Sequence, residues 1–200
     1  MPASLDAPGA RVLTLWQRLS PLPGGRWLFN RVLGWRVPYT GALGAQVVEL
    51  APGHAVCVLR ERRGVRNHLR SIHAVALANL AELCSGTAML TALPPGTRGI
   101  VTRLEIDFVR KGRGRLTART DVQLPALHQA TQLFPEAIIS DASGAVVARA
   151  RITWNVEPSA EALGADHTRE SAPSPPPNEG NAIPASAPRP KSTSSTRVPR

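Results

Sequence analysis

Cysteine, tyrosine and phenylalanine are scarce in this chain: two, one and three among 200 residues, with aromatic residues at only 4%. Each scarcity removes a class of protein. Cys57 and Cys84 form no CxxC pair and no metal-type spacing, which argues against a structural zinc site and a disulfide framework. Two buried free thiols in a reducing compartment are the expectation. Low aromatic content without a recognised nucleic-acid motif leaves little to stack on bases, so no nucleic-acid partner is expected. The N-terminus lacks the basic-then-apolar layout of a signal sequence, because Asp6 and Arg11 interrupt it. A soluble, cytoplasmic protein follows. Acidic side chains are also few. Up to Val156 there are 19 Arg and Lys against 9 Asp and Glu, and beyond it five against five, so the whole surplus of +10 belongs to the first part. Such a surface suits anionic partners. Nothing in the pattern asks for a metal or another cofactor.

What the chain does have is one long helical stretch. Between Asn67 and Leu93, Ala74, Val75, Ala76, Leu77, Ala78, Leu80, Ala81 and Leu83 make a helix that is apolar on all sides, which places it inside a protein. His73, Asn79 and Glu82 interrupt it and argue against a lipid-facing span, so no transmembrane segment is expected. A carboxylate at Glu82 is costly to bury unless it is paired, hydrogen-bonded or protonated. Either it serves chemistry, or it is hydrogen-bonded to Asn79 or to a helix across a dimer.

The remainder divides by period. Val12, Leu15, Trp16 and Leu19 recur at helical spacing, and a second short helix with Trp27, Leu28 and Val32 follows Pro21–Gly25. Both are expected to pack on the core, with contact to a membrane surface as the alternative. Residues 42–50 and 54–62 read as a hairpin about Ala51-Pro52-Gly53. Ser71 suits a helix N-cap and Pro94-Pro95-Gly96 ends the helix over 72–93. Ile100, Leu104, Ile106 and Phe108 then alternate with polar neighbours, as do Leu116–Leu124, Phe134–Ser140 and Val146–Trp154, which predicts an antiparallel sheet with one packed face. Residues 125–133 fit neither period. From Glu157 the Pro-, Ser-, Ala- and Thr-rich sequence predicts a disordered tail. The organisation is an N-terminal helical segment over 1–40, an α+β domain over 41–156 and a tail over 157–200. One sheet curled about the buried helix accommodates these elements.

That layout resembles the hotdog fold, and its details resemble PaaI-type acyl-CoA thioesterases. Those enzymes place an Asn six residues before a His and an acid nine after it. Asn67, His73 and Glu82 reproduce both spacings, and Leu104–Arg110 with Gly114–Ala118 resembles the family's strand pair after the helix. The resemblance implies Glu82 as general base or nucleophile, His73 and the Ala74 N–H as groups that polarise a thioester carbonyl, and Asn67 as an orienting residue. It also implies a homodimer or dimer of dimers and an acyl-CoA substrate. Arg70, Arg110, Lys111 and Arg113 would meet the coenzyme A phosphates. Where the family has glycines this chain has Arg70, Ala74 and Val75, which keeps a noncatalytic acyl-CoA- or lipid-binding role open. Helix geometry adds a constraint. Nine residues advance about 13–14 Å and turn by about half a revolution, so His73 and Glu82 of one chain cannot serve one small group. Two antiparallel helices from two subunits could bring them together.

Overall fold

Ala- and Leu-rich sequence, weakened as a helix former by Cys84-Ser85-Gly86-Thr87, runs from Ala74 to Ala92 as helix α4, and the fold is built around it. The computed structural model describes residues 8–158, so the expected disordered tail lies almost wholly outside the described residues. By length and composition α4 could cross a membrane, but eleven of its nineteen residues are buried within the fold. It is the core helix.

Three helices precede the sheet: α1 (Pro8–Leu19), α2 (Gly25–Arg36) and α3 (Pro38–Leu43). α1 lies so close on α4 that a Cβ at Gly9 would stand 1.6 Å from the Leu90 carbonyl oxygen, an approach only glycine permits. Trp16 and Phe29 meet edge to face at 5.0 Å and join α1 and α2 to the core. The expectation for the second helix holds only in part. Phe29 is buried, while Trp27 and Leu28 face solvent.

Seven strands follow: β1 (Gln46–Ala51), β2 (His54–Arg60), β3 (Thr97–Phe108), β4 (Arg115–Asp121), β5 (Thr131–Leu133), β6 (Glu136–Ser140) and β7 (Val146–Pro158). They form one antiparallel sheet in the order β1-β2-β4-β6-β7-β3, with β5 also on β7. The β1–β2 turn sits where the sequence places it, with Gly53 at φ 71°. The irregular stretch 125–133 contains the short β5. Inward residues of β4 and β7 alternate as read, β2 is buried on both faces from Ala55 to Leu59, and all three strands pack on α4, giving the α+β arrangement of a sheet curled about a central helix. Both cysteines are free and buried there, with the Cys84 thiol donating to the carbonyls of Ala55 and Ala118 at 3.3 and 3.4 Å.

Two local expectations are corrected. Pairing of β3 with β7 shifts between Val101 and Arg103, so a bulge changes the phase of the strand. Ile100 therefore turns out to solvent, and Val101 takes the inward place opposite Trp154. Ser71 is not the N-cap of α4. Its hydroxyl bonds to Asn67, and His73 caps the helix instead.

Candidate active site

The loop that delivers the chain into α4 is held on both sides by backbone hydrogen bonds. Ile72 N–H donates to the Gly112 carbonyl and His73 N–H to that of Val65, each at 2.8 Å. Inside this frame the Asn67 Oδ1 accepts from Leu69 N–H at 2.9 Å, Ser71 Oγ at 3.1 Å and Ser71 N–H at 3.2 Å. Asn67 thereby folds its own loop into an Asx turn. Only its Nδ2 retains capacity for another group. Arg70 closes the turn at φ 53°, the one non-glycine with positive φ among the described residues. It stands where the resembled thioesterase pattern has glycine, the residue that takes a positive φ without strain.

His73 is exposed, and its Nδ1 accepts from Val75 N–H at 3.2 Å. A neutral ring making that bond carries its proton on Nε2, which leaves an outward donor. Ala74 follows, exposed, and its N–H has no acceptor among the described residues. An unsatisfied N–H at the first helical residue, at the positive end of the dipole, suits developing negative charge. Val75, 53% exposed, occupies the same end.

Glu82 lies nine residues further along. It is half-buried, and burial alone raises its carboxyl above the ordinary carboxylate range. No donor or cation reaches it among the described residues. The bond to Asn79 that the sequence allowed is not formed, because Asn79 Nδ2 donates to Thr40 Oγ1 at 3.1 Å and its buried Oδ1 has no partner. No hydrogen bond links any two of Asn67, His73 and Glu82 within the chain. Val75, Ala78, Asn79 and Glu82 instead make the incompletely buried stripe of α4. Sequence reasoning did not single out Trp154, which with Glu82 borders the space beside Gly86. The Cβ position that Gly86 leaves vacant is 3.7 Å from both Glu82 Oε1 and Trp154 Cζ2, and the buried Trp154 indole N–H has no partner. In strand alternation a tryptophan reads as core, so only its unsatisfied N–H distinguishes it.

A basic rim borders the helix start. Arg110, Lys111 and Arg113 are exposed in the β3–β4 loop, which the Ile72–Gly112 bond joins to the Asn67–His73 loop carrying Arg70. Glu61 fastens the same corner, its carboxylate accepting from Gly114 N–H and from Arg66 Nε, both at 2.6 Å. The Gly114 N–H, with Arg66 and Arg113 behind it and against some burial, holds that carboxyl below its ordinary range. Among the described residues no group of three or more His, Cys, Asp or Glu could hold a metal. A cavity of about 960 Å³ lies elsewhere, over β4 and β6 between Arg119, Phe134, Ile138 and Asp141, and none of the candidate residues lines it.

Comparison with known proteins puts this geometry in context. A family model described as a domain of unknown function, DUF4442, matches residues 25–156. A genomics target known from its crystal structure is 28% identical, with a TM-score of 0.65 over 76% of this chain and 99% of its own. A Pseudomonas aeruginosa protein of unknown function, termed a probable thioesterase, is 22% identical, with a TM-score of 0.61 over 68% and 97%. The Escherichia coli PaaI protein from the phenylacetic acid degradation operon is 21% identical, with a TM-score of 0.54 over 65% and 91%. No curated protein sequence matches. The fold is therefore the one that thioesterase-family hotdog proteins share.

Proposed function

This chain belongs to the DUF4442 family on a hotdog fold, and we propose that it is a homodimeric hydrolase of acyl-CoA-type thioesters. The observation that carries the reading is Glu82: a half-buried carboxylate, raised by desolvation and met by no donor among the described residues, on the incompletely buried stripe of the core helix. A general base works best with its pKa moved toward the working pH, and burial moves Glu82 that way.

In this reading Glu82 of one subunit takes a proton from water, which attacks the thioester carbon. His73 Nε2–H and Ala74 N–H of the other subunit hold the carbonyl oxygen as it gains charge. Asn67 positions that loop through the three bonds at its Oδ1. The thiolate of coenzyme A leaves toward solvent, its phosphates beside Arg70, Arg110, Lys111 and Arg113. β3, an edge strand with half-exposed Leu104 and Ile106 and with Phe108 49% exposed, is the seam along which the second subunit joins. The two buried, unbridged thiols suit a reducing cytoplasm.

Purified protein should release free thiol from a panel of acyl-CoAs. Glu82→Gln should reduce kcat by at least about 100-fold while the dimer persists in sedimentation analysis. Unchanged turnover in that variant sinks the mechanism. In the wild type, kcat/KM should fall on acidification at a pH above the ordinary Glu value of about 4.3. One observation favours a noncatalytic carrier as second reading. Val75 stands exposed at the helix start where the resembled enzymes have a glycine, and it adds bulk next to Ala74 in the chain. Acyl-CoA binding without thiol release at any chain length would select that reading.

A further inference from the structure

Between residues 7 and 48 there is no Asp or Glu, yet there are five arginines, three of the four tryptophans and the sole tyrosine. α2 arranges part of this set on one side. At about 100° per residue, Trp27, Leu28, Arg31 and Trp35 fall within a 100° arc, and all four are exposed, Trp27 at 66% and Trp35 at 71%. Phe29 and Leu33 occupy the opposite side and pack on the core. Val37 and Tyr39 extend the exposed surface onto α3, and the Arg36 guanidinium lies 5.9 Å from the Trp35 ring centroid. Trp27 and Trp35 border a groove of about 500 Å³ whose wall includes Arg31.

Two indoles and a phenol standing out of a folded surface have no internal explanation. Rings with an apolar body and a polar edge settle at the headgroup level of a bilayer, and arginines beside them meet lipid phosphates. The absence of any carboxylate over 42 consecutive residues removes the repulsion that an anionic surface would otherwise meet. We propose that the α2–α3 face is a docking surface for anionic phospholipid membranes. The protein lies on the bilayer through Trp27, Trp35 and Tyr39, with Arg31 and Arg36 at the phosphates. This is independent of Glu82 and of the thioesterase reading.

The test is co-sedimentation of the full chain with phosphatidylcholine vesicles, with and without phosphatidylglycerol, alongside Trp fluorescence. Partition should be strong only with the anionic lipid, should weaken at high salt, and should shift the emission to the blue as the two exposed indoles leave water. Trp27→Ala combined with Trp35→Ala should lower partition at least about tenfold. Arg31→Ala should lower it about fivefold. Both sites are exposed, so the fold should survive, which circular dichroism checks. Glu82→Gln should partition like the wild type. Absence of partition, equal partition on neutral vesicles, or an undiminished double tryptophan variant would each overturn the proposal. So would a double variant that turns a dimer into a monomer, since the face would then be a subunit interface.

Discussion

The sheet has two edges, and the chain treats them differently. β1 is six residues long and interrupted by a bulge between Val47 and Glu49. α2 then reaches it with a side chain: Asn30 Nδ2 donates to the Val47 carbonyl at 2.9 Å, and Val47 N–H donates to Asn30 Oδ1 at 2.7 Å. One amide stands in for a neighbouring strand. β3 is twice as long and, among the described residues, has no neighbouring strand on its outer side. Ile100 and Phe108 are exposed along it, and among the described residues no side chain bonds to its outer backbone as Asn30 does to β1. Natural sheets blunt an edge they do not use. In the proposed dimer the second subunit would take the open β3 rather than the closed β1.

The largest expected effect comes from charging the open edge. Ile100→Lys, at a residue 66% exposed, should leave a folded monomer in sedimentation analysis and, because the proposed site needs two subunits, should cost at least about 100-fold in thiol release. Gln46→Lys on β1 is the matched control and should change neither. Removing the Asn30 amide should instead cost stability, about 1–3 kcal/mol for two lost partners of Val47, read as a lower midpoint in urea with assembly retained. If Asn30→Ala leaves the midpoint unchanged, solvent rather than Asn30 satisfies that edge.

A smaller effect follows from Glu82 on the open side. Its folded-state pKa is raised, so between the unfolded and folded values the native state binds more protons, and stability falls as pH rises through that window. Glu82→Gln should therefore melt higher than wild type at neutral pH, by no more than about 3 °C, and equally below about pH 4. A gap that persists in acid would assign the gain to packing. The smallest effect is at Arg70. Arg70→Gly should relieve the positive φ and add about 0.5–1 kcal/mol, less whatever glycine returns to the unfolded chain.

Much of this was readable in the sequence because burial imposes periods. Alternation in β7 follows from packing on one face, and the apolar run of α4 from packing on all but one stripe. Glu82 stood out because it contradicts its neighbours. What stayed hidden depends on single local choices that no period records. A bulge adds one residue to β3 without a compositional mark, so Ile100 and Val101 exchange faces. Ser71 and His73 can each cap a helix, and Asn67, by claiming the Ser71 hydroxyl, decides between them. In α2 large apolar residues occur on both sides, so spacing alone could not say that Phe29 goes in and Trp27 out. The pairing of Asn79 with Thr40 depends on α3, which the sequence did not announce.

The unpaired indole of Trp154 has a practical consequence. A buried N–H without an acceptor exchanges its proton slowly, and its magnetic resonance moves downfield when an oxygen comes within reach. The four tryptophans thus divide into two pairs: Trp27 and Trp35 in water, Trp16 and Trp154 in the interior. An acyl group entering beside Glu82 would displace the signal of Trp154 and leave that of Trp16 in place, while a lipid surface would act on the outer pair. One isotope-labelled sample would therefore report on both surfaces at once, with no probe added.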